Sequence, residues 1–166
     1  MKIVGDHLAG VAATRGDMTE CDLFGRSAFN RYYYGTYLIA RNMLMQLDPA
    51  WARTPHSDIP NLLEGAVINK IRREAKNQEQ AGLLSKATSS SLRASAAAAV
   101  TQLSQLLKSA YDVRIVADYE PDSQISRNGQ ILILVEHSSD EAKRWQGRAT
   151  QATGTILNIW RRLGIT

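Results

Sequence analysis

The sequence predicts an all-α protein, an up-and-down helical bundle of four to five helices with a short β-hairpin or extended arm near residues 122–137. Two observations lead to this prediction. Three long stretches, 19–47, 91–119 and 138–163, repeat apolar residues at spacings of three and four, which is typical of helices that pack on one face. Proline or glycine ends each stretch, and no internal repeat or interdomain linker separates them.

Length and composition limit the class of protein. The 166 residues favour one domain, residues 1–166, with its core over residues 19–163. The chain is 44% apolar and 22% charged, which is typical of a globular protein. The net charge of +4 permits an anionic partner such as RNA or a nucleotide, but it does not specify one.

The sequence contains no feature of a membrane or disulfide-bonded protein. No apolar run approaches the ~18–20 residues of a membrane span, and the first stretch, MKIVGDHLAGVAATRG, is too broken by charge for a signal peptide. Cys21 is the only cysteine, which excludes an internal disulfide and a cysteine-based zinc site. We therefore expect a cytoplasmic protein with no membrane contact, metal or cofactor.

Residues 19–47 are the first predicted helix. Thr19 is the expected N-cap, with Asp22 three residues later as its capping-box partner. Asp48-Pro49 ends the helix, because the residue before a proline avoids the α region. The apolar stripe consists of Phe29, Tyr33, Tyr37, Ala40, Leu44 and Leu47.

The next stretch is predicted to be a loop over residues 48–57, followed by a second helix. This helix begins near Ser57 or Asp58, so that Pro60 falls in its first turn, where proline is tolerated. The polar residues 72–82 are predicted to be a helix end and a solvated connection.

Residues 91–119 are the third predicted helix, with Ser89, Ser90 or Ser91 as its cap and Pro121 as its stop. One member of its apolar stripe is charged, namely Arg114. The stripe is Val100, Leu103, Leu107, Ala110, Arg114 and Ala117.

The segment 122–137 is not helical in pattern. Asn128-Gly129 is a strong hairpin signal, and an apolar β-branched run follows it. The last helix is predicted to begin at Ser138, with Glu141 completing a capping box. Gly164 ends it.

Three consecutive tyrosines follow Arg31 in the first helix. At about 100° per residue they point in three directions, so Tyr33 belongs to the core stripe while Tyr32 and Tyr34 need other contacts. Either a wide helix face packs against two neighbours, or Arg31 and Tyr34 line a cleft or a dimer interface.

Two further residues are candidates for a functional site. Arg114 is followed four residues later by Asp118, which predicts a bridge along the helix. The pair is either structural or holds the arginine for a phosphate. His56 precedes a helix N-terminus, where it is either an exposed or capping residue or an acid–base group beside an anion site.

Three segments together resemble the HEPN superfamily, the nucleotide-binding helical domain of higher eukaryotes and prokaryotes. They are NRYYYGTYLIARNML (30–44), HSDIPNLL (56–63) and LLKSAYDVRIVADYEP (106–121), in the family's order and ending in R-x-x-A-D-Y. The resemblance implies a helical bundle that usually dimerises, with polar residues near the dimer cleft. The matching positions are Arg31, Tyr33, Tyr34, His56, Arg114, Asp118 and Tyr119.

The same resemblance bears on activity. Many HEPN proteins are metal-independent ribonucleases with an R-x(4–6)-H motif, yet here no arginine lies five to seven positions before any histidine. Other similar HEPN proteins act as partners of a small nucleotidyltransferase. The resemblance therefore implies a dimeric nucleotide- or RNA-binding component of a prokaryotic toxin–antitoxin or defence module, in which Arg31, Tyr34, His56, Arg114, Asp118 and Tyr119 bind the ligand.

Two alternatives remain. The first is a ribonuclease with a rearranged site, in which His56 is the base and Arg31 or Arg114 stabilises the phosphate charge. The second is a non-catalytic interaction protein, whose tyrosines and extended arm form a homodimer or hold a nucleotidyltransferase-family partner.

Overall fold

The computed structural model describes residues 1–165, and this part of the chain is mostly helical with one small antiparallel sheet. The all-α fold class is thereby confirmed. No helix within these residues is long and apolar enough to cross a membrane. The helices are α1 (Lys2–Thr14), α2 (Met18–Leu47), α3 (Ile59–Leu62), α4 (Ile68–Gln80), α5 (Lys86–Tyr119) and α6 (Ser139–Arg162).

Short elements connect the helices. A π-helical turn, Leu63–Val67, joins α3 to α4, and 3-10 turns occupy Pro49–Arg53 and His56–Asp58 within the predicted loop. The strands are β1 (Ser126–Asn128), β2 (Ile131–Leu134) and β3 (His137–Ser138), paired antiparallel in that order.

The first predicted helix has nearly the predicted bounds, but its cap was assigned wrongly. The amide of Thr19 donates to Oδ1 of Asp17 at 2.7 Å, so Asp17 and not Thr19 satisfies the free N–H groups of the first turn. Asp22 is consequently free of a capping role and makes other contacts.

The third predicted helix begins at Lys86 rather than Ser91. Ser85 is its cap, because its hydroxyl accepts from the amide of Thr88 at 3.1 Å. Ser89, one of the three predicted caps, is instead buried, and its hydroxyl donates to the carbonyl of Ala75. Helix α4 also continues to Gln80, through most of the predicted solvated connection.

The hairpin prediction is confirmed and extended. Asn128 pairs with Ile131, so the two-residue turn is Gly129-Gln130, with Gly129 at φ 60° as a tight hairpin turn requires. The sequence did not predict β3 or the second turn, where the β-branched Val135 adopts φ 55°.

The predicted ends of the last helix agree with the structure. The hydroxyl of Ser138 accepts from the amide of Glu141 at 3.1 Å, which is the capping contact expected. Gly164 at φ 58° turns the chain at the other end, where the amide of Ile165 donates to the carbonyl of Trp160.

The chain divides into two compact units. The first contains residues 1–38 and 108–147, and the second contains residues 39–107 and the chain from residue 148 onward. Helices α2, α5 and α6 each contribute a segment to both. The largest fully buried side chains of the first unit are Phe29, Tyr32, Tyr33, Ile125, Leu132 and Trp145.

Helix α1, which the sequence analysis did not predict, explains the position of Tyr32. The Tyr32 side chain is completely buried, and its hydroxyl donates to Oδ1 of Asp6 at 3.0 Å. A methyl group added at Gly5 would lie 2.7 Å from Cε1 of the Tyr32 ring. The absence of a side chain at Gly5 therefore allows α1 to approach α2 this closely.

We expect Gly5→Ala to lower the free energy of unfolding by about 1–3 kcal/mol, because the added methyl overpacks against a buried ring. Gly10→Ala on the same helix is the matched control, since no atom lies within 4 Å of its added Cβ. In a helix that exchange should stabilise by about 0.5–1 kcal/mol. Urea unfolding of the three proteins measures both effects, and equal stability of the two variants would contradict this packing argument.

Candidate functional site

Five of the six predicted ligand-binding residues lie in the first unit. Arg31 and Tyr34 are on α2, and Arg114, Asp118 and Tyr119 are on the last turns of α5. Contacts described below join them, and we call these five residues the arginine–tyrosine cluster.

Arg114 is the centre of the cluster. Its Nε lies 2.8 Å from Oδ2 of Asp118, as the four-residue spacing predicts. Its Nη2 donates to the hydroxyl of Tyr119 at 3.4 Å, and its guanidinium carbon lies 5.1 Å from the centre of the Tyr119 ring. Its side chain is 17% exposed, so the charge is partly shielded from water and held by its neighbours.

The neighbours of Arg114 keep its guanidinium charged. Burial by itself lowers the pKa of Arg114, because the charged form loses hydration. Hydrogen bonds with Tyr119 and Tyr34 and the negative charge of Asp118 act in the opposite direction and leave the pKa above its usual value.

Arg31 has different surroundings. Its guanidinium carbon lies 5.9 Å from the centre of the Tyr34 ring, a cation–π contact. Within residues 1–165 no carboxylate oxygen forms an ion pair with it. Since Tyr34 also contacts Arg114, this tyrosine connects Arg114, which is paired with Asp118, to Arg31, which forms no ion pair within residues 1–165.

Asn30 belongs to this site although sequence reasoning did not select it. Its side-chain amide donates to Oδ1 of Asp118, which holds the carboxylate from the α2 side. Its own Oδ1 is buried and accepts no hydrogen bond from the described part of the chain. Asn30 directly precedes Arg31 in the first HEPN-like segment, and this position is the one feature of the sequence that could have indicated its role.

Tyr33 supports the cluster from the core, as its place in the apolar stripe predicts. The ring is 2% exposed and meets Tyr34 edge-on, with ring centres 5.4 Å apart. It also contacts Tyr111 of α5 at 5.9 Å and stacks on Tyr37 at 6.3 Å. Burial raises the pKa of the Tyr33 phenol, to which its aromatic neighbours add.

His56, the sixth predicted residue, lies in the second unit. It begins the 3-10 turn His56–Asp58 that leads into α3, and its side chain is half-buried. The four-residue α3 has Pro60 in its first turn, as predicted. A joint role of His56 and Arg114 in chemistry remains a prediction.

The C-terminal end of α5, which carries the cluster, is held by Arg26. Its Nη1 donates to the carbonyls of Val116 and Ala117 at 3.0 and 3.2 Å. Its Nη2 reaches three carbonyls beyond the helix end, including that of Ser123 at 2.6 Å. Helix ends leave carbonyls without intrahelical partners, and this guanidinium supplies them with donors.

Asp22 completes this arrangement. Its Oδ2 accepts from Nε of Arg26 at 2.7 Å, and its Oδ1 accepts from the amide of Ile125 at 2.7 Å. The carboxylate therefore orients the guanidinium and attaches the start of the hairpin segment to α2. The four-residue spacing is sufficient to predict the Asp22–Arg26 pair, but it does not predict that Arg26 binds backbone carbonyls.

No protein-family model matches the chain, and no curated protein or solved structure is significantly similar to it. Among residues 1–165, no group of three or more histidine, cysteine or acidic side chains is arranged to hold a metal ion. The arginine–tyrosine cluster and Asn30 present guanidinium, phenol, carboxylate and amide groups.

We expect Arg26→Lys to lower the free energy of unfolding by about 3 kcal/mol. A lysine has one ammonium group and cannot reach the same carbonyls, so several partly buried acceptors and the carboxylate of Asp22 lose a donor. Arg15→Lys is the matched control, because the Arg15–Glu20 pair is about half exposed on both sides and such pairs contribute roughly 0–1 kcal/mol. Guanidinium chloride unfolding compares the two, and a loss no larger than in the control would refute the role of Arg26.

We also expect Tyr33→Phe to reduce the loss of stability at high pH. The folded pKa of Tyr33 lies above the unfolded value of 10.0, so above about pH 10 the unfolded chain releases a proton that the folded chain keeps. Stability is therefore lost as pH rises, by up to about 1.4 kcal/mol per pH unit for this phenol. Urea unfolding over this pH range should give a shallower slope for the variant, and an unchanged slope would contradict the assignment.

Proposed function

We propose that the protein is a HEPN-type nucleotide- or RNA-binding component of a prokaryotic toxin–antitoxin or defence module. The observation that carries the proposal is the arginine–tyrosine cluster, in which the charge of Arg31 has no carboxylate partner and lies beside the Tyr34 ring. The order of the three HEPN-like segments supports the same assignment, since two of them supply the cluster.

The division of charge within the cluster suggests a role for each residue. Arg114 is compensated by Asp118 and holds the hydroxyls of Tyr34 and Tyr119, so it orients these rings. Arg31 is the group left to pair with a phosphate, which a guanidinium binds through two parallel hydrogen bonds.

The aromatic groups provide the second half of nucleotide recognition. Tyr119 is 65% exposed, an unusual exposure for a large aromatic side chain at a helix end. Rings of this kind bind bases by stacking, with little dependence on base identity.

The assembly implied by the resemblance belongs to the same proposal. A homodimer would bring two clusters into one particle, and a nucleotidyltransferase-family partner would connect the cluster to nucleotide chemistry. Gel filtration with light scattering measures the first, and co-purification with the product of an adjacent gene measures the second.

We expect Arg31→Gln to weaken binding of a short single-stranded RNA or of ATP by about tenfold or more. The variant loses the charge-assisted hydrogen bonds to phosphate, which contribute about 1.5–3 kcal/mol. Arg144→Gln is the matched control, because Arg144 is an exposed arginine of the same unit with the same change of charge. Isothermal titration calorimetry at low salt measures both affinities.

Absence of binding by the wild-type protein at low salt would refute this proposal. Equal weakening by Arg31→Gln and Arg144→Gln would do the same, since it would show a response to overall charge alone. Circular dichroism of each variant establishes that the fold is retained before affinities are compared.

A further inference from the structure

The second unit contains a basic groove between α4 and the first turns of α5. We define the basic groove by Arg72, Arg73 and Lys76 of α4 and Arg93 of α5, with Ser90, Ala94 and Ala97 as its remaining lining. Its volume is about 660 Å³, and it is open to solvent. The groove is not part of the arginine–tyrosine cluster. Its residues on α4 lie in the stretch 72–82, which the sequence predicts to be a helix end and a solvated connection.

The two helices that form the groove are held together locally. Gly82 at φ 73° lies in the turn that reverses the chain between them. The buried hydroxyl of Ser89 donates to the carbonyl of Ala75 at 3.2 Å, which ties the start of α5 to α4. Alanine and serine on the α5 side leave space between the basic side chains, so the groove lies between two helices that are joined by a short turn and this hydrogen bond.

Charge is concentrated here to an unusual degree. Residues 68–97 contain six basic and two acidic side chains, a net charge of +4, which equals the net charge of the whole chain. The other residues of the chain are therefore balanced in charge. The positive potential that the composition predicts has its source in this one helical hairpin.

Of the four basic side chains that line the groove, only Arg93 forms an ion pair within residues 1–165. Arg93 meets Glu79 at 3.9 Å, a long and partly exposed pair. The other acidic residue, Glu74, accepts a hydrogen bond from Gln78. Within residues 1–165, Arg72, Arg73 and Lys76 form no ion pair, and all three are exposed.

The arrangement fits a chain of phosphates better than a single anion. Residues four apart on a helix have Cβ atoms about 5–6 Å apart, so Arg72 and Lys76 present successive charges along one wall while Arg93 faces them from the other. The lining has no aromatic ring, so base stacking does not contribute. A concave site also suits a linear polyanion better than a flat lipid surface.

We propose that the basic groove binds the phosphate backbone of a nucleic acid strand, without regard to sequence. Such binding releases condensed counterions and is strongly salt-dependent. The inference does not rest on the arginine–tyrosine cluster, because every residue of the groove belongs to the second unit. It adds a polynucleotide site where the proposed function requires only a nucleotide or a short RNA.

The test is fluorescence anisotropy with a labelled single-stranded RNA of uniform sequence, over a series of salt concentrations. With four phosphate contacts the plot of log K against log salt should have a slope of about −2.8, and Arg72→Gln/Arg73→Gln should reduce it to about −1.4. Arg161→Gln/Arg162→Gln is the matched control, an exposed arginine pair of the same unit with the same loss of charge.

The proposal is supported if the groove variant loses affinity and slope while the control keeps the wild-type slope. Single-stranded DNA of the same length should bind similarly if the phosphate backbone is the ligand, and an RNA-only result would overturn backbone recognition. Equal losses in groove and control variants, or binding to phosphatidylserine vesicles without binding to either nucleic acid, would overturn the proposal. Measuring Arg31→Gln on the same RNA distinguishes this site from the cluster. A loss of affinity in only one of the two variants supports binding at that site and refutes it at the other.

Discussion

The guanidinium of Arg26 is the interaction on which the first unit depends. It donates to backbone carbonyls on both sides of the point where α5 ends, and Asp22 fixes its orientation. The last carbonyls of a helix have no intrahelical donor, and Arg26 supplies donors to them at the point where the chain turns toward the hairpin. One side chain of α2 thus connects the last turn of α5, which carries part of the cluster around Arg114, with the segment that leads into the hairpin.

The elements that sequence predicted well are those whose causes are local. The stripe of α2, the capping contact at Ser138 and the hairpin at Gly129 each depend on residues a few positions apart. The Arg114–Asp118 pair belongs to the same category, because a separation of four residues places both side chains on one helical face. Interactions between residues close in the sequence were sufficient to predict these features, and the prediction of the fold class followed from them.

The features that sequence did not predict depend on distant partners. Helix α1 buries only small residues, namely Gly5, Ala9, Ala12 and Ala13, so its buried face contains no large apolar side chain that would indicate a packed helix. The fit of Gly5 against Tyr32 is visible only when both helices are in place. The role of Asn30 could not be predicted, because an asparagine within a helix has no specific partner until the fold places Asp118 beside it.

The contacts of each arginine distinguish guanidinium groups that are held by the protein from those that could bind an anion. Arg26 is occupied by backbone carbonyls, and Arg114 contacts the carboxylate of Asp118 and the hydroxyls of two tyrosines, so a ligand would have to displace these contacts to reach either guanidinium. Arg31 contacts the face of the Tyr34 ring, and within residues 1–165 neither Arg31 nor Arg72 nor Arg73 forms an ion pair. An anion gains most from a guanidinium whose hydrogen bonds are unfilled, which is the reason for proposing phosphate binding at these three arginines. On the proposed function, Arg114 of the apolar stripe would position Tyr34 and Tyr119, and the capture of phosphate would fall to Arg31, Arg72 and Arg73.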